Sequence, residues 1–201
     1  LAITNGYCTL ADVKAALRIT DTIDDALIEN SVNAASRMID QYCNRFFYSG
    51  SAGETRYFKA NDGFTCWIDD AQSIASLTTA STDPTIFDTT WQASDYQVLP
   101  ANRWSNGAYY PISAITATDN YLFPVWADIA LVKVVGQFGW ASVPDPVKFA
   151  CIIQASRLFK RLESPLGVAG VSDLGIMRVG SSIDGDVAQL INPFRLLRTG
   201  A

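Results

Sequence analysis

Residues 22–44 read TIDDALIENSVNAASRMIDQYCN. Ile28, Val32, Ala35, Ile39 and Tyr42 recur at offsets 0, 4, 7, 11 and 14, the spacing of one face of an α-helix. Thr22-Ile23-Asp24-Asp25 supplies a start signal, with two carboxylates at the positive end of the helix dipole. Asn44 supplies a stop. An amphipathic helix buries its apolar face against another element, so the flanking sequence has to provide partners. Upstream, Thr9-Leu10-Ala11-Asp12 has the form of a capping box, and Leu10, Val13 and Leu17 follow on one face. Downstream, Asp145-Pro146 starts a second long helix, with Asp145 suited to the N-cap and Pro146 to the first helical position.

That later helix carries Val147, Ala150, Cys151, Ala155, Leu158 and Leu162 in one stripe. Phe149, Ile152, Ile153 and Phe159 widen the stripe until little polar face remains. Such a helix is expected to be buried on several sides, by its own core or by a neighbouring chain. Arg157, Lys160 and Arg161 complement the dipole at its end, and Ser164-Pro165-Leu166-Gly167 breaks it.

Between the helices the helical periodicity disappears. Thr55–Lys59, Thr65–Ile68, Ser73–Thr79, Tyr96–Leu99, Ile112–Thr118 and Ala130–Val135 are short β-branched or aromatic runs. Asn61-Asp62-Gly63, Asp83-Pro84 and Asn106-Gly107 punctuate them. The stretch predicts an antiparallel β subdomain, with Asn102–Tyr110 as a long exposed loop. After Gly167 the chain is rich in glycine and serine. Val168–Arg178 has the pattern of a loose hairpin around Asp173-Leu174-Gly175, and Asp186–Ile191 has room for one or two helical turns.

Composition narrows the function. The 201 residues include no histidine, which removes Ser-His-Asp and Cys-His catalysis and imidazole metal ligation. The formal net charge is −5, against the basic surface that gripping phosphates requires. Charged residues are 17% of the chain, below the roughly one quarter of an ordinary soluble domain, so much of the surface is expected to meet other chains. No apolar run approaches a membrane span of about 20 residues. Cys8, Cys43, Cys66 and Cys151 form no C-x-x-C pair and read as buried free thiols, which fits synthesis in a reducing cytoplasm. The first residues lack the basic and apolar run of a secretory leader.

Catalytic material is sparse. Asp24-Asp25 reads as helix capping, Asp69-Asp70 as a turn after a strand, and Asp184-Gly185-Asp186 lacks the spacing of a calcium loop. No phosphate-binding glycine loop and no G-x-S-x-G elbow occurs. We therefore expect no catalytic residue, no metal and no cofactor. Trp91, Trp104, Tyr109 and Tyr110 suit either a sugar-binding face or core and subunit packing. The sugar reading, as a carbohydrate-binding or glycosidase-like module, would use the Asp pairs as its acids.

Four segments together resemble the head–tail connector (adaptor) proteins of long-tailed bacteriophages, most closely those of actinobacterial phages. They are Tyr7-Cys8-Thr9-Leu10-Ala11-Asp12-Val13-Lys14 with Leu17-Arg18-Ile19; Asp24 to Ile28 with Ala34 to Arg37 and Ile39 to Arg45; Gly136-Gln137-Phe138-Gly139-Trp140 with Val143-Pro144; and Leu190-Ile191-Asn192-Pro193-Phe194-Arg195. They cover the helical parts and the tail, and the middle region matches only loosely. The resemblance implies a virion protein without enzymatic activity, made in the host cytoplasm and placed at the head–tail junction. It implies a homo-oligomeric ring, typically of twelve, beneath the portal protein. The ring extends the DNA channel and docks the stopper or a tail-completion protein, without sequence-specific DNA binding and without a membrane. Another connector component, itself a stopper or tail-completion protein, is the nearest alternative.

The expected fold is α+β: a helical bundle core of three main helices plus a short C-terminal helix, an inserted antiparallel β subdomain and an extended C-terminal tail. The divisions are 1–50 for the N-terminal helices, 51–142 for the β subdomain, 143–164 for the long core helix and 165–201 for the C-terminal arm. Ile191, Pro193, Phe194, Arg195, Leu196, Leu197 and Arg198 are the expected portal-docking residues. Phe149, Ile152, Ile153 and Phe159, with Arg103 and Trp104 from the β region, are the expected subunit contacts.

Overall fold

Thr9 starts the first helix in the computed structural model, which describes residues 2–105, 108–118, 121–163, 168–172, 175–178 and 183–197. Its hydroxyl accepts from the Asp12 N–H, and the Asp12 carboxylate accepts from the Thr9 N–H, so the expected capping box closes around α1 (Leu10–Leu17). Arg18 ends α1 in the left-handed conformation. The second helix, α2, spans Asp25–Cys43 and ends on a left-handed Asn44, the expected stop. Asp24 stands at its N-cap without a side-chain cap bond, while Asp25 pairs with Lys14 at 2.5 Å. Ile28, Val32, Ala35 and Ile39 are fully buried, which is the stripe that predicted the helix. Ser36 and Asp40 share that buried face.

The chain divides into two units, Leu1–Arg45 with Val143–Ala201, and Phe46–Ser142. The first is helical. Its α3 (Asp145–Glu163) packs on α1, α2 and the short α4 (Gly185–Ile191), which continues as the 3-10 turn Asn192–Phe194. The Pro144 carbonyl accepts from the Lys148 N–H, so α3 begins one residue before the expected position and Asp145 lies in its first turn. Asp184 caps α4 by accepting from the Asp186 N–H, and also pairs with Arg157 of α3. A two-stranded antiparallel hairpin, β9 (Val168–Ser172) and β10 (Gly175–Arg178), follows the expected pattern. The helix breaker 164–167 and the hairpin turn at Asp173-Leu174 lie outside the described residues.

The second unit holds an antiparallel sheet of β1 (Glu54–Phe58), β2 (Thr65–Thr79), β3 (Thr89–Trp91), β4 (Tyr96–Leu99), β7 (Ile112–Ala117) and β8 (Val132–Phe138). Its order is β1-β8-β2-β7-β4, with β3 on the far half of β2. The two strands expected at Thr65–Ile68 and Ser73–Thr79 are one bent strand. Its first half pairs with β7 and its second with β8, and Ala71 faces both Ile112 and Phe138. Asp69-Asp70 therefore lies inside β2, which corrects the turn expected there. A strand interior accepts these residues because each carboxylate is engaged. Asp69 pairs with Arg56 at 2.9 Å, and buried Asp70 accepts from Trp140 Nε1 at 3.0 Å. The expected loop Asn102–Tyr110 contains a small hairpin, β5 (Trp104–Ser105) and β6 (Ala108–Tyr109). Together the elements make an α+β chain whose sheets are antiparallel throughout.

Gly136, Phe138, Gly139 and Trp140 show why that motif has its composition. A side chain on Gly136 would meet the Ser73 carbonyl oxygen at 2.2 Å, where β8 crosses the irregular centre of β2. Phe138 belongs to the sheet's apolar cluster with Ile68, Leu77, Ile115 and Val134. Gly139 has φ +87°, and a side chain there would meet the Tyr48 carbonyl oxygen at 2.0 Å. Trp140 is buried against Phe47 and Tyr110, with ring centroids 5.2 Å away in each case.

Candidate assembly surfaces

The residues expected to dock the portal divide by exposure. Ile191 and Phe194 are buried within the chain's own helical unit. The Leu196 N–H donates to the Cys43 carbonyl at 2.8 Å, and the Arg195 guanidinium lies 5.4 Å from the Tyr42 ring centroid. Residues 191–196 are thus fastened to the end of α2. Pro193, Arg195 and Leu197 are exposed, Leu197 at 73%. Arg198 lies outside the described residues.

On α3 the expected contact residues separate in the same way. Phe159 is buried, Ile152 and Ile153 are half-buried, and Phe149 is 55% exposed. Leu162, at the other end, is 59% exposed. The neighbouring cations are engaged: Lys148 pairs with Asp12 at 3.1 Å and Arg157 with Asp184. The Thr9 cap and Lys148 together hold the Asp12 carboxyl below the usual carboxylate range. Helix α3 thus has its buried stripe inside the unit, while large apolar side chains at both ends face outward.

In the sheet unit, Arg103 is half-buried and donates to the carbonyls of Tyr110 at 2.9 Å and Gln72 at 3.2 Å. Its guanidinium also lies 4.5 Å from the Tyr109 ring centroid. Arg103 therefore fastens the β5–β6 hairpin to β2, and Trp104 is the residue that projects, at 69% exposure. Sequence reasoning missed a further patch. Leu122, Val125, Trp126 and Ile129 are exposed in the segment leading into β8, and Phe64 is exposed on the turn before β2. The Phe123 N–H donates to the Gly63 carbonyl at 2.7 Å, which ties this segment to that turn. The signal was present as Tyr121-Leu122-Phe123-Pro124-Val125-Trp126, an apolar run in a stretch with neither helical nor strand period.

The candidate sugar face is divided. Trp91 is buried and stacks on Phe123 at 4.5 Å, and Tyr110 is half-buried beside Trp140. Only Trp104 and Tyr109 of that group are exposed. Among the described residues no cluster of three or more Cys, Asp or Glu is arranged to hold a metal ion, and no helix is long and apolar enough to cross a membrane.

Comparison with known proteins adds two findings. Residues 7–79, from just before α1 to the last residue of β2, match the family described as phage gp6-like head-tail connector protein. Two solved structures share the fold. The neck of an empty GTA particle, computed with C6 symmetry, has a TM-score of 0.59 and 16% identity. The neck of a native GTA particle, computed with C12 symmetry, has 0.58 and 16%. Each similarity covers 99% of this chain and 94% of that chain. No curated protein sequence matches. Of the four segments that carry the resemblance to head–tail connectors, the first two, Tyr7 to Ile19 and Asp24 to Arg45, fall within the matched residues, and Gly136 to Pro144 and Leu190 to Arg195 lie outside them. Over the matched residues, somewhat more than a third of its length, the chain is similar to the phage gp6-like head-tail connector family.

Proposed function

We propose that the chain is a structural ring component of a virion head–tail junction. It would sit under the portal, continue the DNA channel and offer the surface on which a stopper or tail-completion protein docks. The observation that carries this reading is the connector match over residues 7–79, together with a fold shared along almost the whole chain with necks solved at C6 and C12 symmetry. A twelve-membered ring is the stoichiometry these relatives suggest. Exposed Phe149, Leu162 and Leu197, large apolar side chains on a surface short of charge, supply contacts of the kind that associating subunits bury. The portal contact falls to Pro193, Arg195 and Leu197, because Ile191 and Phe194 already serve the unit's own core. A net charge of −5 suits a channel through which a polyanion slides.

The engagement of Asp69 with Arg56 and of Asp70 with Trp140 weighs against the carbohydrate reading. The test is assembly. Purified chain mixed with the portal protein of the same particle is expected to form rings visible as twelve-fold class averages in negative stain. A chain that stays monomeric and sediments apart from the portal at every concentration would remove the proposal.

A further inference from the structure

The helical unit is made of two chain segments far apart in sequence, and Cys8 and Cys151 meet where those segments join. Their Sγ atoms are 3.4 Å apart, with Cys8 donating to Cys151. Both are buried, and they are separated by 143 positions. Cys8 forms part of an open cleft lined also by Ile3, Asn5, Thr9 and Lys148, so the pair is approached from that side, with Cys151 behind it. The Ser36 hydroxyl is 3.4 Å from Cys151 Sγ. Cys43 lies on the same unit, but its thiol is directed to the Ile191 carbonyl, and burial pushes it up to about 12.

We propose that Cys8 and Cys151 are a modification site: a dithiol during synthesis that closes to a disulfide on exposure to peroxide. The S–S bond of about 2.05 Å requires the sulfurs to approach by roughly a further 1.4 Å. The hydrogen bond from Cys8, with those from the Tyr7 and Cys8 N–H groups, holds the Cys151 thiol below its usual range. Donation to Cys151, then burial, holds Cys8 up. Cys151 is therefore the sulfur that ionises and attacks. The Cys151 thiolate attacks one peroxide oxygen, the O–O bond breaks, hydroxide leaves and a sulfenic acid forms. Cys8 sulfur then attacks Cys151 sulfur, the S–O bond breaks, and the Cys8 proton leaves with the oxygen as water. Two thiols and one peroxide thus give one disulfide and two waters. The bond joins the two segments of the helical unit covalently and closes a long loop, the case in which cross-linking restrains the unfolded chain most. No partner enters the proposal, so it stands or falls apart from the connector reading.

The experiment uses the full chain, reduced, freed of reductant, treated with hydrogen peroxide and then denatured in alkylating reagent. Of the four thiols, two are expected to disappear. The intact mass should fall by two hydrogens, and one proteolytic fragment should join the peptides of Cys8 and Cys151. Tm should rise by about 10 °C, and dithiothreitol should reverse every change. Cys8→Ser should form no internal cross-link and leave Cys151 as a sulfenic acid, whereas Cys43→Ser should still form the link. The wild-type peptide map decides the matter even if Cys8→Ser fails to fold. Four thiols surviving treatment, sulfinic acid without a cross-link, or a link through Cys43, Cys66 or a second chain overturns the proposal.

Discussion

Asp40 is buried on the inner face of α2, where it accepts from the Tyr7 hydroxyl and pairs with Arg37 Nε at 2.9 Å. Burial pushes its carboxyl up from the ordinary 3.8 to about 6, against the opposing pull of Tyr7 and Arg37. The sign follows from linkage. The folded chain holds this proton more tightly than the unfolded one, so the contribution to stability is full below about 4 and is lost as pH rises through about 6. Asp12 acts in the opposite direction: its stabilisation is present above 3.8 and is lost as pH falls through its lowered value. Urea denaturation of Asp40→Asn at pH 5 and pH 7.5 should therefore show a smaller pH dependence than the natural chain. An identical dependence in the two proteins would place the titrating group elsewhere. Gly139 is a second residue whose identity is dictated locally. Gly139→Ala puts a side chain on a backbone at φ +87° and against the Tyr48 carbonyl, so a loss of at least about 2 kcal/mol in urea denaturation is expected. A loss under about 0.5 kcal/mol would mean that the 48–50 segment moves away freely.

Helix α1 is only eight residues long and buries Val13 alone, so its cap carries an unusual share of its stability. Thr9→Ala removes the acceptor for the Asp12 N–H and should cost about 1 kcal/mol, read from urea midpoints at constant slope. Thr9→Asn should restore most of the loss. Elements of this kind were legible in the sequence because their signals are local: the capping box of α1, the stripe and Asn44 stop of α2, the β-branched and aromatic runs of β4 and β7. Others were not, because their cause is tertiary. Nothing near Asp69-Asp70 announces that Arg56 and Trp140 will receive the two carboxylates, so acidic neighbours read as a turn. The bend that makes one strand of two runs arises where β2 changes partners from β7 to β8. Among the expected contact residues, pattern identified apolar side chains but not their direction. Phe159 and Phe149 differ in exposure because one faces α3's packing partners and the other does not.

At the scale of the whole molecule, the C-terminal segment holds buried and exposed apolar residues that its sequence runs together. Phe194 and Ile191 complete the helical unit beside the end of α2, whereas Leu197, three residues after Phe194, is exposed. Removing residues 193–201 as a block would disturb both, so loss of portal attachment in that truncation would not distinguish a missing contact from a damaged fold. Single substitutions separate them. Phe194→Ala removes a buried aromatic ring and should cost about 3 kcal/mol in urea denaturation, with any assembly defect following from that loss. Leu197→Asp changes an exposed position and should leave the midpoint within about 0.5 kcal/mol, while portal co-sedimentation falls at least about tenfold if this residue is the apolar anchor. Phe149→Asp, also exposed, should leave stability intact and instead lower the fraction of chain in rings when no portal is present. Portal binding unchanged in Leu197→Asp would assign the contact to the exposed apolar residues of the sheet unit, Trp104 or the Leu122 to Ile129 segment, and the same co-sedimentation with Trp104→Ser and Trp126→Ser would then locate it.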